Sequence, residues 1–176
     1  MSQRFRITKG GRIDRKTRLS FRFDGHTYDG YGGDTLASAL LANGVHLTGR
    51  SFKYHRPRGI LSSGSEEPNA LVTIGTDGRA TPNLRATQVE LYEGLVAQSQ
   101  NRWPNLQYDV LEIFSAASRI LPAGFYYKTF MWPATLWTTY ESFIRRAAGM
   151  GKAPDQPDPD RYDKTHRHCD VLVVGA

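Results

Sequence analysis

Three stretches of the chain hold residue types that could do chemistry. The segment from Cys169 to Ala176 reads CDVLVVGA, a β-branched apolar run that ends in a glycine. In strand–turn–helix units that bind dinucleotides, such a run continues as G-x-G-x-x-G into a helix whose N-terminus receives the pyrophosphate. Gly175 stands where the first glycine of that turn would be, and Ala176 follows it. A glycine at a strand end is also an ordinary turn, because half of such a pattern has little specificity. The second stretch interleaves cations with aromatics: Arg50, Lys53, Arg56 and Arg58 beside Tyr54 and His55. That mixture could bind phosphate or a single-stranded nucleic acid. The cations could instead face another subunit or pair with Glu66 and Glu67, and the lack of a glycine-rich run of amides favours this reading. The third stretch places His166, His168 and Cys169 together. Zinc sites need three or four ligands, and no second Cys/His pair exists, so no metal site is expected. No Ser/His/Asp set and no pair of carboxylates stands at a telling spacing, so no catalytic residue is assigned.

These residues need elements to position them. Arg18 to Phe23 alternates, with Leu19, Phe21 and Phe23 on one side, as a half-buried strand does. Asp24-Gly25 signals a hairpin, and Thr27 to Tyr31 returns as its second strand. Asp34 is expected to cap a helix over Thr35 to Asn43, where Leu36, Leu40 and Leu41 recur at helical spacing. Asn43-Gly44 ends that helix. Residues 49–69 read as a long loop rich in Gly, Pro, Ser and charge. Ala70 to Ile74 reads as a short strand, Thr76 to Arg79 as a turn, and Arg85 to Tyr92 as another strand with Val89 and Leu91 on one face. The order is β-β-α-loop-β-β. Tyr108 to Leu121 and Ala134 to Ala148 then read as helices, with an aromatic run from Phe125 to Trp132 between them. Aromatics bury large areas and dominate interfaces, so this run is expected to pack against another domain or subunit. Lys152 to Lys164, rich in Pro and Asp, reads as a linker or surface-crossing arm.

Bulk composition narrows the classes. The 176 residues are 39% apolar and 11% aromatic, which argues against disorder. The net charge of +6 is unevenly placed: residues 1–60 carry 12 Lys/Arg against 4 Asp/Glu, and the remainder is slightly acidic. A basic half admits nucleic acid, a membrane surface, an acidic partner or a plain solvated face. A nucleic-acid module is the rival from a different class, but the cations spread over several elements with few stacking aromatics beside them. The N-terminus has no apolar run of the kind a secretory signal needs. The most apolar stretch, Ile120 to Tyr140, is interrupted by Pro122, Lys128 and Pro133 and cannot make a membrane span of about 20 residues. A cytoplasmic location without membrane or nucleic-acid partners is expected. Cys169 is the single cysteine, so the chain forms no internal disulfide and cannot hold a cysteine-ligated cluster.

The β-β-α-loop-β-β order is similar to the β-grasp fold of plant-type 2Fe–2S ferredoxins. More narrowly, RPRG at residues 56–59, followed by a small-residue loop, resembles the ferredoxin-like domain of multi-subunit amine-oxidising flavoenzymes. Cluster-bearing relatives read approximately RPRGxxCGxGxCxxCLV, with a fourth cysteine in a PNxRAC context. Laid on this chain, those cysteines fall on Ser62, Glu67, Ala70 and, through PNLRAT, on Thr87. The resemblance therefore implies a ferredoxin fold that has lost every cluster ligand. The phrases GDTLASALLANGV, GRSFKYHRPRGILSSGSEEPNALV, ATQVELYEGLVAQSQNRWPNLQYDV, LPAGFYYKTFMWP and CDVLVVGA resemble the N-terminal region of the α subunits of heterotetrameric sarcosine oxidases.

That resemblance implies the following expectations. The chain is the N-terminal piece of a longer α subunit, partnered by the rest of that subunit and by β, γ and δ subunits. The parent enzyme demethylates sarcosine to glycine with oxygen, forming hydrogen peroxide and passing the one-carbon unit to tetrahydrofolate or releasing formaldehyde. FAD sits in β, FMN at the α/β interface, and NAD in α, where Gly175 and Ala176 open its site. The α subunits of related amine or imino-acid dehydrogenases share the layout. The fold class is α+β. Residues 1–100 form a β-grasp domain without a cluster, and 101–150 a helical, aromatic-rich extension. Residues 151–167 form a linker, and 168–176 the first strand of a truncated Rossmann-type, dinucleotide-binding domain. The piece itself is expected to act as an assembly and scaffold region without catalysis.

Overall fold

Asp24 and Gly25 both adopt positive φ, 48° and 83°, as a two-residue hairpin turn demands. They join β1 (Asp14–Phe23) to β2 (His26–Gly32) in an antiparallel pair that sets Phe21 opposite Tyr28. The computed structural model in which this is seen describes residues 3–51, 54–116, 132–147 and 149–174. Period-two alternation places Phe21 and Phe23 on the buried face, 1% and 3% exposed, and leaves Arg22 outside.

Helix α1 (Leu36–Ala42) lies across that face and buries Leu36, Ala39 and Leu40 completely. Its cap is Thr35, not Asp34: the Thr35 hydroxyl accepts from the Ser38 amide, and the Ser38 hydroxyl accepts from the Thr35 amide. Asp34 is instead buried and takes the Tyr31 amide, the Ser38 hydroxyl and a two-pronged contact from Arg6 at 2.9 and 2.6 Å. At the other end Gly44, φ 80°, takes the left-handed position. The amides of Gly44 and Val45 close back on Leu41 and Leu40, a Schellman ending. The helix sits close to the sheet because β2 offers Gly30. A Cβ there would stand 2.2 Å from Leu91 Cδ2 and 3.3 Å from the Ala39 methyl.

Strands β5 (Leu71–Ile74), β6 (Thr81–Arg85) and β7 (Val96–Ser99) complete a five-stranded mixed sheet in the order β2-β1-β7-β5-β6. β7 runs parallel to β1 and antiparallel to β5, so it is the central strand. A separate two-residue ladder joins β3 (Gly49–Arg50) to β4 (Pro57–Arg58) inside the expected loop.

The strand read over Arg85 to Tyr92 ends at Arg85. Beyond it the chain turns to serve α1: Leu36 and Ala37 donate their amides to the Val89 and Ala86 carbonyls. These are first-turn donors with no partner inside the helix. The alternation of Val89 and Leu91 therefore reports packing against the helix and a single antiparallel bridge between Glu90 and Thr35, not a strand of the sheet. Of the helix expected over Tyr108 to Leu121, the described residues show a 3₁₀ turn (Val110–Glu112) followed by α2 (Ile113–Ala116); residues 117–131, with most of the aromatic run, lie outside the described residues. The helix over Ala134 to Ala148 appears as a 3₁₀ turn (Ala134–Leu136) leading into α3 (Trp137–Ala147). In the stretch expected as a strand from residue 168, Val171 to Val174 show no regular structure and are 75–84% exposed. A strand of this kind is held by neighbours on both sides, and no other described strand pairs with it. In the stretch before it, Asp160 meets Arg79 at 2.8 Å.

Candidate functional site

The RPRG loop returns to the sheet through residues 59–70, and its centre is a carboxylate. Glu67 is 1% exposed. Its Oε2 accepts the amides of Leu61 at 2.7 Å and Ser62 at 2.6 Å, with the Ser62 hydroxyl at 3.4 Å. Its Oε1 accepts the Asn69 amide at 2.8 Å. Burial pushes the Glu67 carboxyl up. The amides of Ser62, Asn69 and Leu61, with the Ser62 hydroxyl, outweigh that and hold it below its ordinary value. The charged form therefore suits a site from which water is excluded. Nearby, the Thr87 hydroxyl donates to the Gly64 carbonyl at 2.7 Å, and Ala70 is fully buried. The four positions assigned from the loop pattern thus belong to one loop and its support. Ser62 and Glu67 touch directly, and Thr87 braces Gly64 between them.

The basic stretch divides in two. Arg50 is 7% exposed and is consumed by the chain itself. Its Nε donates to the Leu106 carbonyl at 2.9 Å, and its Nη2 reaches the same carbonyl and that of Gln107. Its Nη1 meets the His55 carbonyl and Glu112, each at 3.0 Å. His55, itself buried and at φ 51°, sets Nδ1 2.7 Å from Asp109 Oδ2. Asp109 also takes the Trp103 and Leu111 amides, at 3.3 and 3.0 Å. Together these contacts fasten residues 50–55 to residues 101–112. Arg56 and Arg58 remain exposed. Among the described residues, none of these cations pairs with Glu66 or Glu67, the alternative to a subunit contact; backbone amides already occupy the Glu67 carboxylate. Arg85 donates to the Glu67 main-chain carbonyl at 3.2 Å. Lys53 lies outside the described residues.

The remaining candidates separate. Gly175 and Ala176 lie outside the described residues. His166, His168 and Cys169 are exposed on an irregular segment, and among the described residues no group of three or more His, Cys, Asp or Glu could hold a metal. Trp132, at the end of the aromatic run, is 84% exposed. Sequence reasoning overlooked Asp109 as the organiser of the extension. An Asp followed by Val110 and Leu111 is a helix-start signal that could have marked it.

Residues 16–102 match a family described as a 2Fe-2S iron-sulfur cluster binding domain. The chain as a whole is similar to sarcosine oxidase α subunits. It is 63% identical to "Sarcosine oxidase subunit alpha" of Rhizobium meliloti (strain 1021) over 173 residues, 98% of the chain. It is 36% identical to "Sarcosine oxidase subunit alpha" of Corynebacterium sp. (strain U-96) over 172 residues, 96% of the chain. It spans only 18% and 13% of the lengths of those relatives. A solved structure of L-proline dehydrogenase from P. horikoshii covers 51% of this chain and 17% of its own, at 24% identity and a TM-score of 0.39. The donors present do not fit a 2Fe–2S group. Such clusters are held by thiolates. The four positions offer two hydroxyls, one carboxylate already bound to amides, and a methyl, while the single cysteine, Cys169, lies far along the chain and exposed.

Proposed function

We propose that this chain is the N-terminal region of a sarcosine oxidase α subunit, in which residues 1–100 form a β-grasp domain that carries no cluster and serves assembly. The observation that carries the reading is Glu67. An internal carboxylate closes the loop through three amide hydrogen bonds, at a position where a metal ligand would stand. The ferredoxin-like shell is kept while the chemistry it could house is replaced by a permanent internal anion. The similarity along nearly the whole chain supports the parent's identity. On this reading the parent oxidises sarcosine, with β, γ and δ subunits and the rest of α as partners, in the cytoplasm. FAD, FMN, NAD and tetrahydrofolate then belong to other parts of the enzyme. The extension at 101–150, the arm at 151–167 and the opening of a dinucleotide-binding domain at 168–176 lead toward them, with Gly175 and Ala176 at the start of the NAD turn.

Two measurements test this. Iron and acid-labile sulfide are determined on the purified complex: none is expected from this domain, and stoichiometric amounts would end the cluster-free reading. Deleting residues 1–95 is expected to prevent assembly with full flavin content. A truncated parent that assembles normally would end the scaffold reading.

A further inference from the structure

Arg56 and Arg58 line a cleft of about 410 Å³ together with Tyr54, Asn69, Gln100 and Asn101. Among the described residues, no acidic one lines it. Its third arginine, Arg50, is already spent on three carbonyls and on Glu112. The other two are not. Arg56 rests over the Tyr54 ring, 4.9 Å from its centroid, with one 3.5 Å contact to the Ser115 hydroxyl. Among the described residues, neither the Arg58 guanidinium nor the Asn69 carboxamide has a side-chain partner. Residues two apart on an extended segment share a face, which is how both guanidinium groups come to one cleft. The β3–β4 ladder and the His55–Asp109 contact fix that segment, so the two forks are presented on rigid backbone.

The chemistry of the cleft selects its occupant. Planar guanidinium forks match carboxylates two bonds at a time. A nucleotide would want an open aromatic face and a run of free amides or a helix N-terminus. Here Arg56 covers the Tyr54 face, and the nearby amide of Asn69 is given to Glu67. We propose that this cleft is a docking site for an acidic segment of a partner subunit, with Arg56 and Arg58 holding its carboxylates. The proposal rests on the assembly role above, yet the two can fail separately, because the test reads carboxylate recognition and not iron content or flavin loading.

The full-length α chain, free of partner subunits, is titrated with fluorescein-labelled hexaglutamate and followed by anisotropy. Arg56→Ala/Arg58→Ala is expected to weaken binding about tenfold or more. Lys16→Ala/Arg22→Ala, which removes two exposed charges from β1, is expected to change it less than twofold. Arg58→Lys, which keeps the charge and loses the fork, should fall between them. Because both arginines are exposed, thermal melting should match that of the parent protein. In the assembled complex, Arg56 and Arg58 should resist phenylglyoxal while Arg22 reacts. Equal losses from the two double variants would overturn the proposal. So would displacement of the peptide by inorganic phosphate at a concentration where glutarate fails, tighter binding of a single-stranded oligonucleotide, or modification of Arg56 and Arg58 in the complex as fast as Arg22.

Discussion

The Ser62 amide donates to Glu67 Oε2 at 2.6 Å, and this contact with its two neighbours turns a surface loop into a closed ring around a buried charge. Three main-chain donors face one side chain, so any replacement must answer all three.

Glu67→Gln removes the charge and turns an amide NH₂ toward amide donors. At least one donor loses its acceptor in a place water does not reach. A buried polar group left unpaired costs about 1–3 kcal/mol. Urea unfolding of the variant should show that loss, and Glu67→Ala should lose at least as much. Unchanged midpoints would mean that the loop closes without the carboxylate.

The same group sets a pH dependence. Its folded-state pKa lies below the ordinary glutamate value of 4.5 because the Ser62, Asn69 and Leu61 amides and the Ser62 hydroxyl outweigh the upward push of burial. A depressed pKa stabilises the fold above the unfolded value, and that contribution disappears as pH falls through the folded value. The stability gap between the parent protein and Glu67→Gln should therefore be fully present at pH 7 and shrink below about pH 4.5. A gap that stays constant down to pH 3 would contradict this origin.

Arg50 and Asp109 pin the extension. Arg50→Lys keeps one charge but cannot span the Leu106, Gln107 and His55 carbonyls at once. Asp109→Ala leaves the Trp103 and Leu111 amides and His55 without their acceptor. Each should cost about 2–4 kcal/mol, in the range for breaking a buried network. Hydrogen exchange should localise the loss to residues 101–112, with the sheet amides of β1 and β2 remaining protected.

Gly30→Ala tests how closely α1 rides on the sheet. The new methyl would overlap Leu91 Cδ2 at 2.2 Å, so Leu91 must move. Overpacking of this kind costs about 1–3 kcal/mol. Pairing it with Leu91→Val should recover part of the loss. No recovery would place the strain against Ala39.

Local chemistry made part of the fold legible. The Asp24-Gly25 turn and the Asn43-Gly44 ending need backbone that few residues tolerate, and both are where the sequence put them. β7 was missed because VAQS is four residues long and lacks an alternation of its own. Its place comes from Phe23 and Val72 on distant segments. Val89 and Leu91 misled for the same reason: burial against a helix can copy the period of a strand. At the site, the loop pattern marked Glu67 as a substituted position but not what its carboxylate does, since amide donors carry no sequence signature. The split of the basic stretch was hidden too. Arg50 and Arg58 are the same residue type, and only the 101–112 segment, folding back over one of them, tells them apart.

The position of β7 bears on biosynthesis. The sheet holds two hairpins, one built near residues 14–32 and one near 71–85, and neither pairs with the other: residues 96–99 lie between them and bond to both. A growing polypeptide that has emerged only as far as Arg85 holds two half-sheets with facing apolar edges and nothing to zip them. The domain can become cooperative only after Ser99 clears the ribosome, so the interval between those points is when a chaperone, or a misplaced strand from another chain, has its opportunity.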